Sequence, residues 1–374
     1  MKTIPTNTLL KLSALLILSI SLTACGGGGS DSNSSGSVLT QNQQKLVNGL
    51  TQRSTDFYLD LQSHLTTLQT ASNDYCANQN DAGLQTLRTE WKNAFKSWMS
   101  AQWVIRGPID DKFRFNRIES WPLADSRRVQ LTVDQDIANS AELTQSYIAN
   151  RPVQTQGFPA MEYLLFSPSV ENSSITTRKC DLLKAISANM VTISSDVNSE
   201  WVAYAKDIKN PGPEIQFADI NSSINFFANL LLNQLIILKD DKLGAPLGFN
   251  KLGEAGPASP ESGEAWISRQ SLPAILINIQ TLQALYKDEG GFGIEDFLIS
   301  LNKPEINQGI NTKFSTLISK IQGAISAGLT LHDNATDSRL IKLYADVRAL
   351  EVAIQNQVFP AIGAAPTFNF NDGD

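Results

Sequence analysis

The spacing of apolar residues constrains this chain more than any other feature. Leu46, Leu50, Phe57, Leu61, Leu65 and Leu68 recur at steps of three, four or seven, which puts them on one side of a helix. Leu84, Leu87, Trp91, Phe95 and Trp98 repeat the pattern as far as the breaker pair Gly107-Pro108. Further helices are predicted over 133–150, 159–166 and 177–206, and the alternation that would mark half-buried strands is absent. Asn210-Pro211-Gly212-Pro213 divides the chain. Beyond it, helices are predicted over 224–238, 265–287, 294–301, 305–328 and 336–357, with a long loop over 243–264. The nearly apolar 224–238 segment is too short to span a bilayer and carries Asn225, Asn229 and Asn233 as a polar stripe, so it reads as a buried bundle helix. The expected fold class is all-α, with one helical bundle over 41–209 and a second over 210–374.

The amino terminus has a separate logic. Lys2 and Lys11 precede an apolar run over 12–22, too short for a stable transmembrane helix, so residues 1–24 read as a signal peptide. The run ends in Leu22-Thr23-Ala24-Cys25, which looks like a bacterial lipobox, and Cys25 supplies the thiol that accepts the lipid. Residues 25–40 then form the lipidated cysteine and its tether, since 26–37 contain almost nothing that could be buried. The implied partner is a membrane, reached through the lipid anchor. Gly26, where an inner-membrane retention signal would have Asp, favours the outer membrane, facing the periplasm. A plain signal peptide that happens to end near a cysteine is the alternative.

Once the leader is removed, 28 basic residues stand against 37 acidic ones, a formal charge of −9. That balance excludes nucleic acid as the obvious partner and permits cations. With Cys25 acylated, Cys76 and Cys180 remain; in an oxidising compartment they are expected to pair, the alternative being two buried thiols. His64 and His332 are the only histidines, so no H-E-x-x-H or three-histidine zinc site can be built. His64 reads as the edge of a helix interface and His332 as part of a turn. No nucleophile elbow, phosphate-binding glycine loop or dinucleotide fingerprint is present.

Three polar clusters stand out. Arg106, Arg114, Arg117 and Glu119, followed by Trp121-Pro122, could cradle a carboxylate or a ligand face, or could be an inter-helix ion-pair cluster. In the segment from Gly157 to Phe166, Pro159 suits a first helical turn, and Glu162 lies in so apolar a helix that it must meet water, a partner or a metal. Glu261, Ser262, Trp266, Ser268 and Ser271 make up the third, in the long loop and the helix after it.

Together these segments resemble the imelysin family of bacterial envelope proteins, also catalogued as metallopeptidases. The resemblance is carried by Trp91 through Pro122, Gly157 through Phe166, Arg178-Lys179-Cys180, Lys242-Leu243-Gly244 through Leu247-Gly248, Glu261-Ser262, and the terminal Phe368-Asn369-Phe370-Asn371-Asp372-Gly373-Asp374. It implies an all-α fold of two four-helix-bundle-type domains packed with a groove between them that holds the functional site, and a link to iron acquisition. The family motif G-x-H-x-x-E keeps its glycine at Gly157 and its glutamate at Glu162, but Pro159 holds the histidine position. This departure argues against peptidase activity and leaves Glu162 as a single oxygen donor for a metal such as iron. The terminal Asn-Asp-Gly-Asp fails the calcium-loop spacing and reads as a solvated or docking tail.

The reading these features support is an envelope-anchored, non-catalytic binding protein associated with iron or haem uptake. Its expected groove residues are Arg106, Arg117, Trp121, Gly157, Glu162, Glu261, Ser262, Trp266, Ser268 and Ser271. The alternatives are a metal-dependent envelope peptidase, and a structural lipoprotein docking onto an iron-uptake receptor or transporter.

Overall fold

The computed structural model describes residues 31–367, apart from positions 124, 126 and 169. The signal peptide, Cys25, Gly26 and the terminal Phe368 through Asp374 lie outside the described residues. Within them the chain is helical, with one isolated antiparallel bridge between Phe249 and Ala255 and no strand. No described helix is long and apolar enough to cross a membrane.

The helices follow in order: α1 (Asp31–Ala77), α2 (Asp81–Ala101), α3 (Arg114–Ile118), α4 (Arg128–Ala138), α5 (Gln145–Ala149), α6 (Gly157–Phe166) and α7 (Thr177–Lys209). Then come α8 (Ile220–Ile237), α9 (Ala245–Leu247), α10 (Ser271–Lys287), α11 (Ile294–Ser300), α12 (Pro304–Ser326), α13 (Ser338–Ala353) and α14 (Phe359–Ile362). Capping residues define several starts. The Asn80 side chain accepts the Gly83 N–H at the head of α2, Asp219 does the same for Ser222 at α8, and Asp337 for Arg339 at α13. The predicted stripes are buried: Leu46, Leu61, Leu65 and Leu68 of α1 and Leu87, Trp91 and Trp98 of α2 have essentially no exposure. Trp91 stacks on Phe95 with centroids 5.0 Å apart, and Phe158 meets both rings edge-on, which fixes α6 against α2.

Several expectations change. Residues 31–37, read as part of a flexible tether, are the first turns of α1. The described residues from Thr40 onward form one compact unit. α2 stops at Ala101, well before Gly107-Pro108, and the Gln102 N–H closes its last turn on Trp98. The helix predicted over 133–150 is two helices, because Asn139 leaves the helical region and accepts the Ala141 N–H in an Asx turn. The Arg178 guanidinium covers the carbonyls this break exposes, donating to Asp136, Asn139 and Ala141 at 3.0, 2.6 and 2.8 Å. The helix predicted from 265 begins at Ser271, after Ala265 and Arg269 take positive φ of 49° and 61°. Two stretches adopt π geometry, Leu238–Gly244 after α8 and Ile354–Val358 after α13. The expected disulfide joins Cys76 to Cys180, tying the end of α1 to the start of α7.

Candidate functional site

The π segment determines what the site contains. An i→i+5 turn, closed by the Ala245 N–H on the Asp240 carbonyl, adds a residue to the turn and changes which side chains face inward. Lys242 is the consequence: a lysine with 1% side-chain exposure, packed between the two halves of the sequence. Its ammonium donates to both Glu264 oxygens at 2.7 and 2.6 Å, to Asn278 Oδ1 at 2.9 Å and to Gln102 Oε1 at 3.2 Å. It also lies 5.7 Å from the centre of the Trp121 ring. Asn278 in turn donates to the Met99 carbonyl at 2.7 Å, so α10 and α2 share the same polar node.

Two more buried carboxyls adjoin this pair. Glu119 accepts from the Trp98 indole N–H and sits beside Glu264. Burial, followed by the neighbouring Glu264 charge, pushes its carboxyl well above the ordinary range, against the opposing pull of Lys242. Burial thus favours the neutral form of the Glu119 carboxyl. Glu162, on α6, accepts the Ser268 N–H at 2.8 Å, and burial pushes its carboxyl up to about 7 despite that bond.

Trp121, Glu162, Glu261, Ser262 and Trp266 converge on one chamber of about 50 Å³, and Glu119 and Pro159 line it too. A volume of that size holds a few waters or one compact polar group. Glu119 and Trp121 also face an adjoining cavity of about 310 Å³, which Arg106 lines. The sequence-derived cluster thus divides. Five residues meet in the chamber, whereas Arg106 stands next door with Asp110 at 2.7 Å.

The remaining candidates are supports. Arg117 donates to Gln156 and Asn189, both at 3.1 Å, and does not line the chamber. Arg114 is likewise an ion-pair residue, held by Glu200. Gly157 has φ +71°, and a Cβ there would lie 2.0 Å from the Ile118 carbonyl oxygen, so glycine lets α6 start against α3. Ser271 Oγ donates to the Glu264 carbonyl, and Ser268 holds Glu162. Trp266 stacks on His332 with centroids 5.1 Å apart, while Arg269 donates to the Trp266 carbonyl and to Asp333. Glu264 and Lys242 are the site residues that sequence patterning missed. A lysine immediately after a nearly apolar helix was the available signal for one; Glu264 had none.

The high value at Glu162 has a testable consequence. A carboxyl raised from the unfolded range to about 7 contributes stability that is complete below the unfolded value and lost as pH rises through 7. Glu162→Gln should therefore match the parent near pH 4 and exceed its stability at pH 8, by on the order of 2 kcal/mol. Denaturant unfolding at the two pH values reads this directly; an identical pH slope in both proteins would refute it.

Comparison with known proteins agrees with this architecture. The imelysin (Peptidase_M75) family model matches residues 55–354. The crystal structure of an imelysin-like protein from Psychrobacter arcticum is similar with a TM-score of 0.71 at 21% identity, covering 90% of this chain and 98% of that one. A protein from Parabacteroides distasonis, named "putative iron-regulated protein A precursor", is similar with a TM-score of 0.70 at 17% identity, covering 86% and 94% of the two chains. No curated protein sequence matches the chain.

Proposed function

Because this chain belongs to the imelysin family, we propose that it is an envelope-anchored binding protein associated with iron or haem uptake, without peptidase activity. The observation that carries the reading is that Lys242, Glu264, Glu119 and Glu162 around the chamber are already engaged by protein partners. Lys242 neutralises Glu264, Glu119 takes the Trp98 N–H, and Glu162 takes the Ser268 N–H. Such a set is built to hold a shape and receive a compact polar group; it does not present a free base or nucleophile.

The metal that the family's catalogue name implies does not fit these donors. Pro159 supplies no imidazole on the chamber wall, and Glu162 is one carboxyl with an oxygen already bonded. Among the described residues no three His, Cys, Asp or Glu side chains are placed to hold a metal ion. Iron enters instead as cargo. Its support is the printed name of the Parabacteroides relative; the chamber itself is too small for a porphyrin.

Calorimetry on the mature chain with ferric, ferrous and calcium ions and with haem tests the reading. Binding of an iron species is expected, weakened about tenfold or more by Glu162→Gln. No binding by any of the four would remove the proposal, and chelator-sensitive cleavage of a denatured protein would turn it into the peptidase. Pro159→His, which restores the motif, is expected to tighten transition-metal binding at least about tenfold. Unchanged affinity would show that the missing imidazole is not what keeps metal chemistry out.

The envelope part of the proposal rests on the lipobox at Cys25, and the Cys76–Cys180 disulfide supports an oxidising compartment. Labelled palmitate should be incorporated into the parent and not into Cys25→Ser, which should leave the membrane fraction. A parent that incorporates no palmitate would exclude the lipid anchor.

A further inference from the structure

Where α7 and α8 face the turn before α3, the fold forms an open cavity of about 980 Å³. Its aromatic wall is Tyr204 and Phe226, with ring centres 6.1 Å apart and planes at 71°. Gly107 makes room for that wall: its φ is +80°, and a Cβ there would lie 2.5 Å from the Tyr204 ring. Burial pushes the Tyr204 hydroxyl up to about 12, so the ring is a neutral surface. Ala365 and Thr367 close another side, fastened by the α8 asparagines. Asn225 accepts the Ala365 N–H and Asn229 the Thr367 N–H, both at 2.8 Å, and Asn229 donates to the Ala365 carbonyl at 3.0 Å.

Two independent features point to a ligand. Asn233, one turn beyond Asn229, lines the cavity with only 8% exposure, and its carboxamide has no hydrogen-bond partner among the described residues. Its amide oxygen and nitrogen therefore remain available to a group that enters the cavity. The second feature is charge. Of the acidic side chains on the lining, Asp110 is met by Arg106 at 2.7 Å and Glu200 by Arg114 at 2.7 Å. Asp111 and Asp207 line the same space, and neither forms an ion pair among the described residues.

We propose that this cavity binds a small organic cation, an amine carrying an apolar or aromatic body. The ammonium group is held by Asp207 and Asp111, the body lies against Tyr204 and Phe226, and Asn233 takes a polar group of the ligand. An anion would meet a net negative lining, and a bare metal ion would find no clustered donor set. The assignment is independent of the Glu162 chamber.

Calorimetry on the mature chain with phenethylamine and spermidine, and with phenylacetate as the anionic counterpart of the first, tests it. Phenethylamine should bind and phenylacetate should not. Asp207→Asn should weaken the amine about tenfold, and Asn233→Leu by a similar factor. Asp207 is only partly buried, so its variant remains informative if Asn233→Leu unfolds. Glu162→Gln should leave amine binding unchanged, which separates this site from the chamber. Equal binding of amine and acid, absence of binding by both amines, or an Asp207→Asn variant that binds like the parent would overturn the proposal.

Discussion

Lys242→Met is expected to destabilise the protein by about 3–5 kcal/mol, because it removes one half of a buried ion pair and leaves the other half in place. Methionine nearly matches the lysine stem in volume, so the loss reports charge more than packing. Glu264, 2% exposed, would keep its carboxylate beside Glu119 with no cation between them and water. Gln102 Oε1 and Asn278 Oδ1 would lose their donor at the same time. The pH dependence gives a second readout. A buried carboxyl left without its cation costs most where it must carry charge, so the penalty is largest above the carboxylate range. The deficit should therefore be smaller at pH 4 than at pH 8. Lys242→Met combined with Glu264→Leu should recover most of the loss, since an apolar pair strands no charge. A single variant within about 1 kcal/mol of the parent would show that the ammonium is not what holds these carboxyls together.

The same residue shows how far sequence reasoning reaches. Periodicity located most of the helices because each stripe, such as Leu61, Leu65 and Leu68, has a local repeat that burial then satisfies. It failed where a single residue's conformation decides the outcome. Asn139 turned one predicted helix into two, and positive φ at Ala265 and Arg269 delayed α10. The π turn at Leu238–Gly244 leaves no periodic trace at all, yet it points Lys242 inward. Glu162 was legible because a carboxylate among Met161, Leu164 and Leu165 demands a partner. Glu264 was not, since it lies in a loop rich in glycine, proline and acid, where a charge is unremarked until Lys242 meets it. The arginine cluster could be read either as a ligand cradle or as an inter-helix ion-pair cluster for a related reason. Arg114 and Arg117 have their hydrogen bonds satisfied by Glu200, Gln156 and Asn189, partners remote in sequence.

Removing the Cys76–Cys180 bridge should have an effect of similar size through a different state. The bonded residues are 104 apart in sequence, and closing a loop of that length restricts the unfolded chain by about 4–5 kcal/mol in the chain-entropy model. The folded state has little to lose locally. Cys180 is 4% exposed, and Gln79 ties the same corner by donating to the Ile175 carbonyl at 2.8 Å and to Cys180 Sγ at 3.2 Å. The Cys76→Ser/Cys180→Ser variant should thus keep its helical spectrum and still unfold at lower denaturant. Reductant should shift the parent to the same midpoint and leave the variant unmoved. A parent that unfolds identically with and without reductant would mean the bridge adds nothing to stability. If the loss is as large as the loop length predicts, a chain of this sequence gains much of its margin from the oxidising compartment to which Cys25 would deliver it.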